Sequence, residues 1–114
     1  MNKNPVVHPV LALEISEQIE EFELLIDKSE AAAQKAKTPL VKRVNLQCAE
    51  TSFVTAHCLR TALNQGFSEA ISSAKVNYAR VSCERVKSAF ISAVSTLKQF
   101  DQVNEQLKQH PNGH

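Results

Sequence analysis

Residues 68–110 read SEAISSAKVNYARVSCERVKSAFISAVSTLKQFDQVNEQLKQH and contain neither glycine nor proline. Apolar residues, with one asparagine among them, recur at alternating steps of three and four, which places them on one seam of a helix. The seam consists of Val76, Ala79, Cys83, Val86, Phe90, Ala93, Leu97, Phe100, Asn104 and Leu107. A single helix over this stretch would be about 60 Å long, roughly twice the diameter of a small domain. We therefore predict a long third helix that needs partners along its whole length.

Two further helices are predicted before this stretch. Pro9 suits the first turn of a helix, and Thr38 followed by Pro39 supplies an N-cap and a first helical residue. Gly66 suits the end of the second helix. The predicted boundaries are a flexible arm over 1–9, a single helical domain over 10–109 with helices over about 10–36, 39–64 and 68–109, and a flexible tail over 110–114.

The fold class that follows is all-α, with three long antiparallel helices. They form either an up-down bundle or a helical hairpin with an extended third helix, and their packing is coiled-coil-like. The first two helices, each about 40 Å long, cover the third only as far as about Val94. The third helix then has an apolar overhang beyond that residue, which a second chain would cover. The alternative is a break near residues 92–96 that folds the end back as a fourth helix.

We prefer the second chain, because neither glycine nor proline favours a break. The expected partner is a second copy, giving a homodimer, or another helical protein. Leu46 and Phe53 form an additional apolar row on the second helix and predict a second neighbour for it. In a parallel dimer, Asn104 would meet its own mate and fix the register. The predicted interface residues are Leu46, Phe53, Val94, Leu97, Phe100, Val103, Asn104 and Leu107.

Composition limits the class of protein. The chain has 114 residues, enough for one domain, and its net charge of +1 gives no general attraction to nucleic acid or to an anionic membrane. No apolar run reaches the length of a membrane span. Three cysteines without a CxxC motif favour a reducing compartment, so we expect a cytoplasmic protein with no membrane partner.

Basic residues cluster around the turn between the first two helices. Lys35, Lys37, Lys42 and Arg43 have no acidic residue between them, whereas the first helix is strongly acidic. We interpret the basic turn and the acidic first helix as surfaces of complementary charge, which pack together within a bundle or between chains. The alternative is a nucleic-acid accessory protein that uses the tip from Lys35 to Arg43, although four bases would bind only weakly and we do not expect such a partner.

One short stretch resembles the motif of histidine phosphotransfer domains, which are all-helical modules of similar length. His57 takes the place of the phosphoacceptor, Leu59 follows two positions later, and Arg60 takes the place of the base that steadies the phosphoryl group. Thr61 stands where the family has glycine, and Leu63 where it has a small residue. The resemblance implies phosphoryl transfer through His57 as an alternative function, and we expect instead an exposed histidine without a chemical role.

The residue pattern does not indicate metal binding or catalysis. Cys48, Cys58 and Cys83 fall on apolar stripes, where a free cysteine packs as a small hydrophobic residue. We predict no metal, no cofactor, no small-molecule substrate and no enzymatic activity. The expected function is protein–protein interaction, as an adaptor, a scaffold or a small chaperone.

Overall fold

The computed structural model describes residues 7–109, and within that range the chain is entirely α-helical apart from short connections. The prediction of an all-α fold is confirmed. Residues 1–6 of the predicted arm and the predicted tail over 110–114 lie outside the described residues. The described elements are α1 (Pro9–Lys35), α2 (Pro39–Gln65), α3 (Phe67–Arg80) and α4 (Glu84–Gln109).

Local chemistry explains where the first two helices begin and end. Pro9 opens α1, and the side chain of His8 accepts a hydrogen bond from the amide of Val10. Thr38 caps α2 through its hydroxyl, which accepts from the amide of Val41 at 3.2 Å. Gly66 separates α2 from α3 at a φ of 97°, a value that other residues adopt only at a steric cost.

The prediction of one continuous third helix is wrong. α3 ends at Arg80, and Val81 turns into extended backbone with φ −88° and ψ 135°. α4 begins three residues later, where the amide of Lys87 donates to the carbonyl of Cys83 at 3.0 Å. Residues 7–109 therefore form four helices, and within them the predicted seam does not run along one continuous helix. The break also lies about ten residues before the alternative position considered at 92–96.

Weak helix preference and burial together account for this break. A β-branched valine, a serine and a cysteine occupy positions 81–83, and each is less favourable in a helix than alanine by a few tenths of a kcal/mol or more. Folding back buries Val86, Phe90 and Leu97 against the rest of the chain. Burial of each such side chain contributes about 1.5–3 kcal/mol, which outweighs the backbone cost of the turn.

The core lies where α4 packs along the second half of α2 and against α3. Ile15, Leu59 and Leu97 are its largest fully buried apolar side chains. Its other buried members come from all four helices and the segment before α1, and include Val7, Leu11, Val54, Phe67, Ala74, Val86 and Phe90.

The first half of the α1–α2 hairpin, counted from its turn, projects beyond this core. α1 and α2 pack on each other along the hairpin, but every buried residue of α2 lies at or after Ala49. The first turn of α4 reaches α2 at Glu50, where Arg85 forms an ion pair at 3.4 Å. Among residues 7–109, no third layer covers the outer end of the hairpin, and the described chain is elongated, 54 × 27 × 27 Å.

The predicted apolar overhang of the last helix is absent. Leu97 is buried, and Phe100 and Leu107 are half-buried against the core. Asn104 is only 2 % exposed and accepts a hydrogen bond from the amide of His8. The chain itself covers this end of α4, so the reason given for a second chain there does not hold. Exposed apolar side chains lie elsewhere, and Leu40 and Val44 are among them at the outer end of the hairpin.

Candidate interaction surface

A groove between α1 and α2 continues the surface on which α4 lies. On α2, residues 40, 44, 48, 51, 55 and 58 follow a spacing of three and four and share one side of the helix. Thr51 and Thr55 line a cavity of about 340 Å³ together with Arg85 and Ser88 of α4, and Cys58 is buried further along. The same side of α2 is thus covered by α4 in one half of the helix and uncovered in the other.

α1 shows the same continuation. Residues 22, 25, 29 and 32 share one side of this helix, and Phe22 lines the cavity beneath α4. Leu25 and Ala32, further toward the turn, are exposed. We call the uncovered part of both stripes the open groove, and it consists of Leu25, Ala32, Leu40, Val44 and Cys48.

The open groove exposes large apolar side chains. Leu40 is 64 % exposed and Val44 is 53 % exposed, while Cys48 is half-buried. The helices beneath stay closely packed because small residues, Ser29 and Ala33 of α1, are buried between them. A row of exposed apolar side chains on a pair of packed helices is typical of a binding surface for another helix.

The two ends of the open groove differ in charge. At the turn, Lys35, Lys37, Lys42 and Arg43 are all exposed. Where α4 begins, Glu84 forms an ion pair with Lys87 at 3.9 Å, and Glu50 of α2 forms one with Arg85 at 3.4 Å. A partner that follows the groove therefore meets a basic end at the turn and paired acidic and basic side chains near α4.

The predicted residues Leu46 and Phe53 are exposed on the other side of α2, away from the open groove. The ring of Phe53 stacks on His57 with a centroid distance of 6.4 Å and an interplanar angle of 11°. Leu46 and Phe53 are accessible, and their role in an interface stays a prediction.

His57 itself is exposed on this side, as the sequence indicated. Arg60, its predicted helper, forms an ion pair with Glu23 of α1 and so neutralises a carboxylate of the same chain. Phosphoryl transfer through His57 stays an untested alternative.

The remaining predicted interface residues lie on α4. Val103 is exposed, and Val94 borders a shallow cavity of about 230 Å³ between α3 and α4, which Lys75, Tyr78, Phe90 and Ile91 also line. The ammonium group of Lys87 lies 5.5 Å from the centre of the Tyr78 ring. This cavity is apolar and open, and only Lys75 brings a charge to its lining.

The three cysteines differ in burial: Cys58 is buried, Cys48 is half-buried and Cys83 is exposed. Burial raises the pKa of the Cys58 thiol to about 11, which keeps it protonated at neutral pH. Within residues 7–109, no three His, Cys, Asp or Glu side chains lie close enough to hold a metal ion. No helix in the same range is long and apolar enough to cross a membrane.

The sequence analysis missed the open groove because the boundary of α4 decides which half of the hairpin is covered. The stripe containing Val44, Cys48, Thr51 and Thr55 is visible in the sequence, as is a second apolar face on α2. Only the folded structure shows that α4 covers one half of the first stripe and leaves its other half exposed.

The chain was compared with protein families, with curated proteins and with solved structures, and none of the three comparisons found a match.

Proposed function

We propose that this protein is a non-enzymatic helical protein–protein interaction module, acting as an adaptor, a scaffold or a small chaperone, and that the open groove is its binding surface. The observation that supports this function is the continuation of two apolar stripes from beneath α4 onto uncovered helix. A partner helix in the groove would lie in line with α4. It would give the outer end of the hairpin the third layer that the inner end has.

The size of the groove indicates how such a partner binds. From the turn to Glu50, α2 advances about 18 Å, which accommodates roughly three turns of a partner helix. Leu25, Leu40 and Val44 are the large side chains available as anchors, and full burial of each contributes about 1.5–3 kcal/mol at most. Association itself costs about 4 kcal/mol or more, which leaves about 5 kcal/mol at most, so we expect weak binding with a Kd of roughly 0.2 mM or above.

A pair of double variants tests this function. Leu40→Glu with Val44→Glu places two carboxylates in the open groove, where a bound partner would have to desolvate them. Val10→Glu with Leu13→Glu is the matched control, because these α1 side chains are 64 % and 63 % exposed but lie at the far end of the hairpin. Both variants should keep the helical content of the wild type.

The measurements are absolute mass by light scattering and the set of proteins recovered with the tagged full chain from its own cells after mild cross-linking. We expect the groove variant to lose association and the control variant to retain it. Equal association of both variants with the wild type, or no association by any of the three proteins, would contradict the proposed function.

A further inference from the structure

Basic side chains border the open groove along α1. Residues 25, 28, 32 and 35 follow a spacing of three and four, so Lys28 and Lys35 lie on the same side of the helix as Leu25 and Ala32. Both lysines are exposed. The apolar stripe of α1 therefore alternates with side chains that carry ammonium groups as it approaches the turn.

Arg43 borders the groove from α2. It follows Leu40 by three residues and precedes Glu50 by seven, which places the three on neighbouring positions of one side of the helix. Glu50 pairs with Arg85 of α4, so this side of α2 lies beside α4 and beside the groove that continues from it. Arg43 is exposed as well.

The carboxylates in this half of the hairpin lie on its opposite side. Glu23 of α1 pairs with Arg60, on the side of α2 that faces away from the groove. Asp27 and Glu30 follow Glu23 at steps of four and three and share its side of α1. Lys42 precedes Arg60 by 18 residues, about five full turns, and also lies on that far side. The charges that border the open groove are therefore all positive.

These bordering bases are not neutralised within the described chain. No ion pair among residues 7–109 involves Lys28, Lys35 or Arg43. Glu21 shares the side of Lys28, but it is two turns further from the hairpin turn, at the level of the cavity beneath α4. A bound partner can therefore supply the negative charge that the outer end of the groove lacks.

From this pattern we infer that the occupant of the open groove is an acidic amphipathic helix of another protein. Its apolar stripe lies on the floor of the groove, and its flanking carboxylates face the bordering bases. The inference rests on the proposed function and names the chemistry of the partner. A second copy of the groove would bring like charges together. Nucleic acid would supply phosphates but no apolar stripe to cover Leu40 and Val44.

Two stapled helical peptides of about 14 residues, each about 21 Å long, test the chemistry of the occupant. Both carry the same stripe of leucines, and the positions that flank it are glutamate in one peptide and lysine in the other. The labelled peptides are titrated with the full chain at low ionic strength and followed by fluorescence anisotropy. The glutamate peptide should bind at least about fivefold more tightly. The difference should shrink as salt is raised, because the charge pairs are exposed.

A pair of charge-reversal variants locates this preference. Lys28→Glu with Arg43→Glu should reverse it, so that the lysine peptide binds more tightly. Lys42→Glu with Lys98→Glu is the matched control, because it changes the net charge equally. Lys42 lies on the far side of α2, and Lys98 is exposed in the second half of α4. The control should keep the preference of the wild type, and far-ultraviolet circular dichroism checks that both variants keep its helical content.

Equal binding of the two peptides to the wild type would overturn the inference, as would a control variant that reverses the preference. An apolar surface with a basic border can also lie on an anionic membrane. Cosedimentation with phosphatidylglycerol vesicles that Lys28→Glu with Arg43→Glu abolishes, without binding of either peptide, would therefore overturn it too.

Failure of this inference differs from failure of the proposed function. If the wild type binds both peptides equally and Leu40→Ser with Val44→Ser removes both, the groove binds helices and only the acidic partner is wrong. If neither peptide binding nor the proteins recovered from cells depend on Leu40 and Val44, both fail.

Discussion

The backbone amide of His8 donates a hydrogen bond to Oδ1 of Asn104 at 2.8 Å, joining residues that are 96 positions apart. Asn104 is buried, and Val7 next to His8 belongs to the core. The carboxyl end of α4 is therefore attached to the start of α1. The heptad pattern placed Asn104 at a dimer axis, but in the structure Asn104 accepts a hydrogen bond within its own chain.

This hydrogen bond gives the first prediction. Asn104→Leu removes the acceptor and leaves the His8 amide in a partly buried place without it, so the free energy of unfolding should fall by about 1–3 kcal/mol. In a parallel coiled coil the same change would raise the melting temperature. Urea denaturation followed by circular dichroism measures the difference. Val103→Leu, at the exposed neighbouring position, is the control, and an Asn104→Leu protein as stable as the wild type would contradict the hydrogen bond's role.

The second prediction concerns the core under α4. Leu97→Ala should lower the free energy of unfolding by about 2–5 kcal/mol, because Leu97 is fully buried and its truncation leaves a cavity. Ile91→Ala on the same helix should change it by less than about 1 kcal/mol, since Ile91 is mostly exposed. Equal effects of the two truncations in chemical denaturation would show that residue 97 is not in the core.

The third prediction tests the break between α3 and α4. Glu84→Pro places proline at the first position of α4, where the amide has no helical acceptor to lose, and should cost less than about 1 kcal/mol. Ser88→Pro lies inside the helix and should cost about 3 kcal/mol or more. Glu84→Ala is the control, because it removes the carboxylate without introducing the proline ring. Comparable losses for the two prolines in thermal melts would indicate a helix that runs through position 84.

The fourth prediction concerns the Cys58 thiol. Its pKa is raised to about 11 in the folded protein from an ordinary value of 9.0, because burial disfavours the thiolate. A raised folded pKa contributes stability that is present below pH 9 and lost as the pH rises toward 11. Cys58→Ala should therefore flatten the loss of stability over that interval. A wild type and a variant with the same slope of unfolding free energy against pH would refute this assignment.

Thiol labelling provides an independent check on Cys58. At pH 8, iodoacetamide should modify the exposed Cys83 first and reach Cys58 only when the protein opens. Mass spectrometry of the peptides gives the order. Rapid modification of Cys58 in the native protein would mean that its burial is incomplete.

The fifth prediction concerns His57. Because Arg60 is paired with Glu23, we expect no acid-labile phosphoryl group on His57 after incubation with a phosphorylated receiver domain. Glu23→Gln frees the guanidinium and is the more permissive background. Labelling that appears in either protein and disappears with His57→Gln would establish the phosphotransfer alternative.

Sequence reasoning located α1 and α2 to within about one residue, because Pro9, Thr38, Pro39 and Gly66 are strong local signals. It failed at residues 81–83, where no such signal exists. The break there is decided by the burial of α4 against the rest of the chain. The intrinsic helix preferences make too small a difference in free energy between a continuous and a broken helix to reveal it. One misplaced boundary assigned the uncovered surface to the last helix, although that helix is covered by its own chain.

The same error explains the outcome for the interface residues. Leu97 and Asn104 are buried in their own chain, whereas Leu46 and Phe53 are exposed as expected. A stripe of apolar residues shows that a surface needs covering, but its spacing does not identify the element that covers it. The distinction depends on contacts between residues far apart in sequence, such as Arg85 with Glu50.

The small residues inside the hairpin have a consequence for its dynamics. Ser29, Ala33 and Ala49 bury little surface, so the outer end of the hairpin gains far less from packing than the inner end, where Ile15 and Leu59 meet. Local opening should therefore begin at the turn, and amide hydrogen exchange should slow progressively from residue 39 toward residue 62 of α2. Any molecule that settles on the outer end shifts this opening equilibrium, and its binding can be read from slower exchange of amides that it never touches.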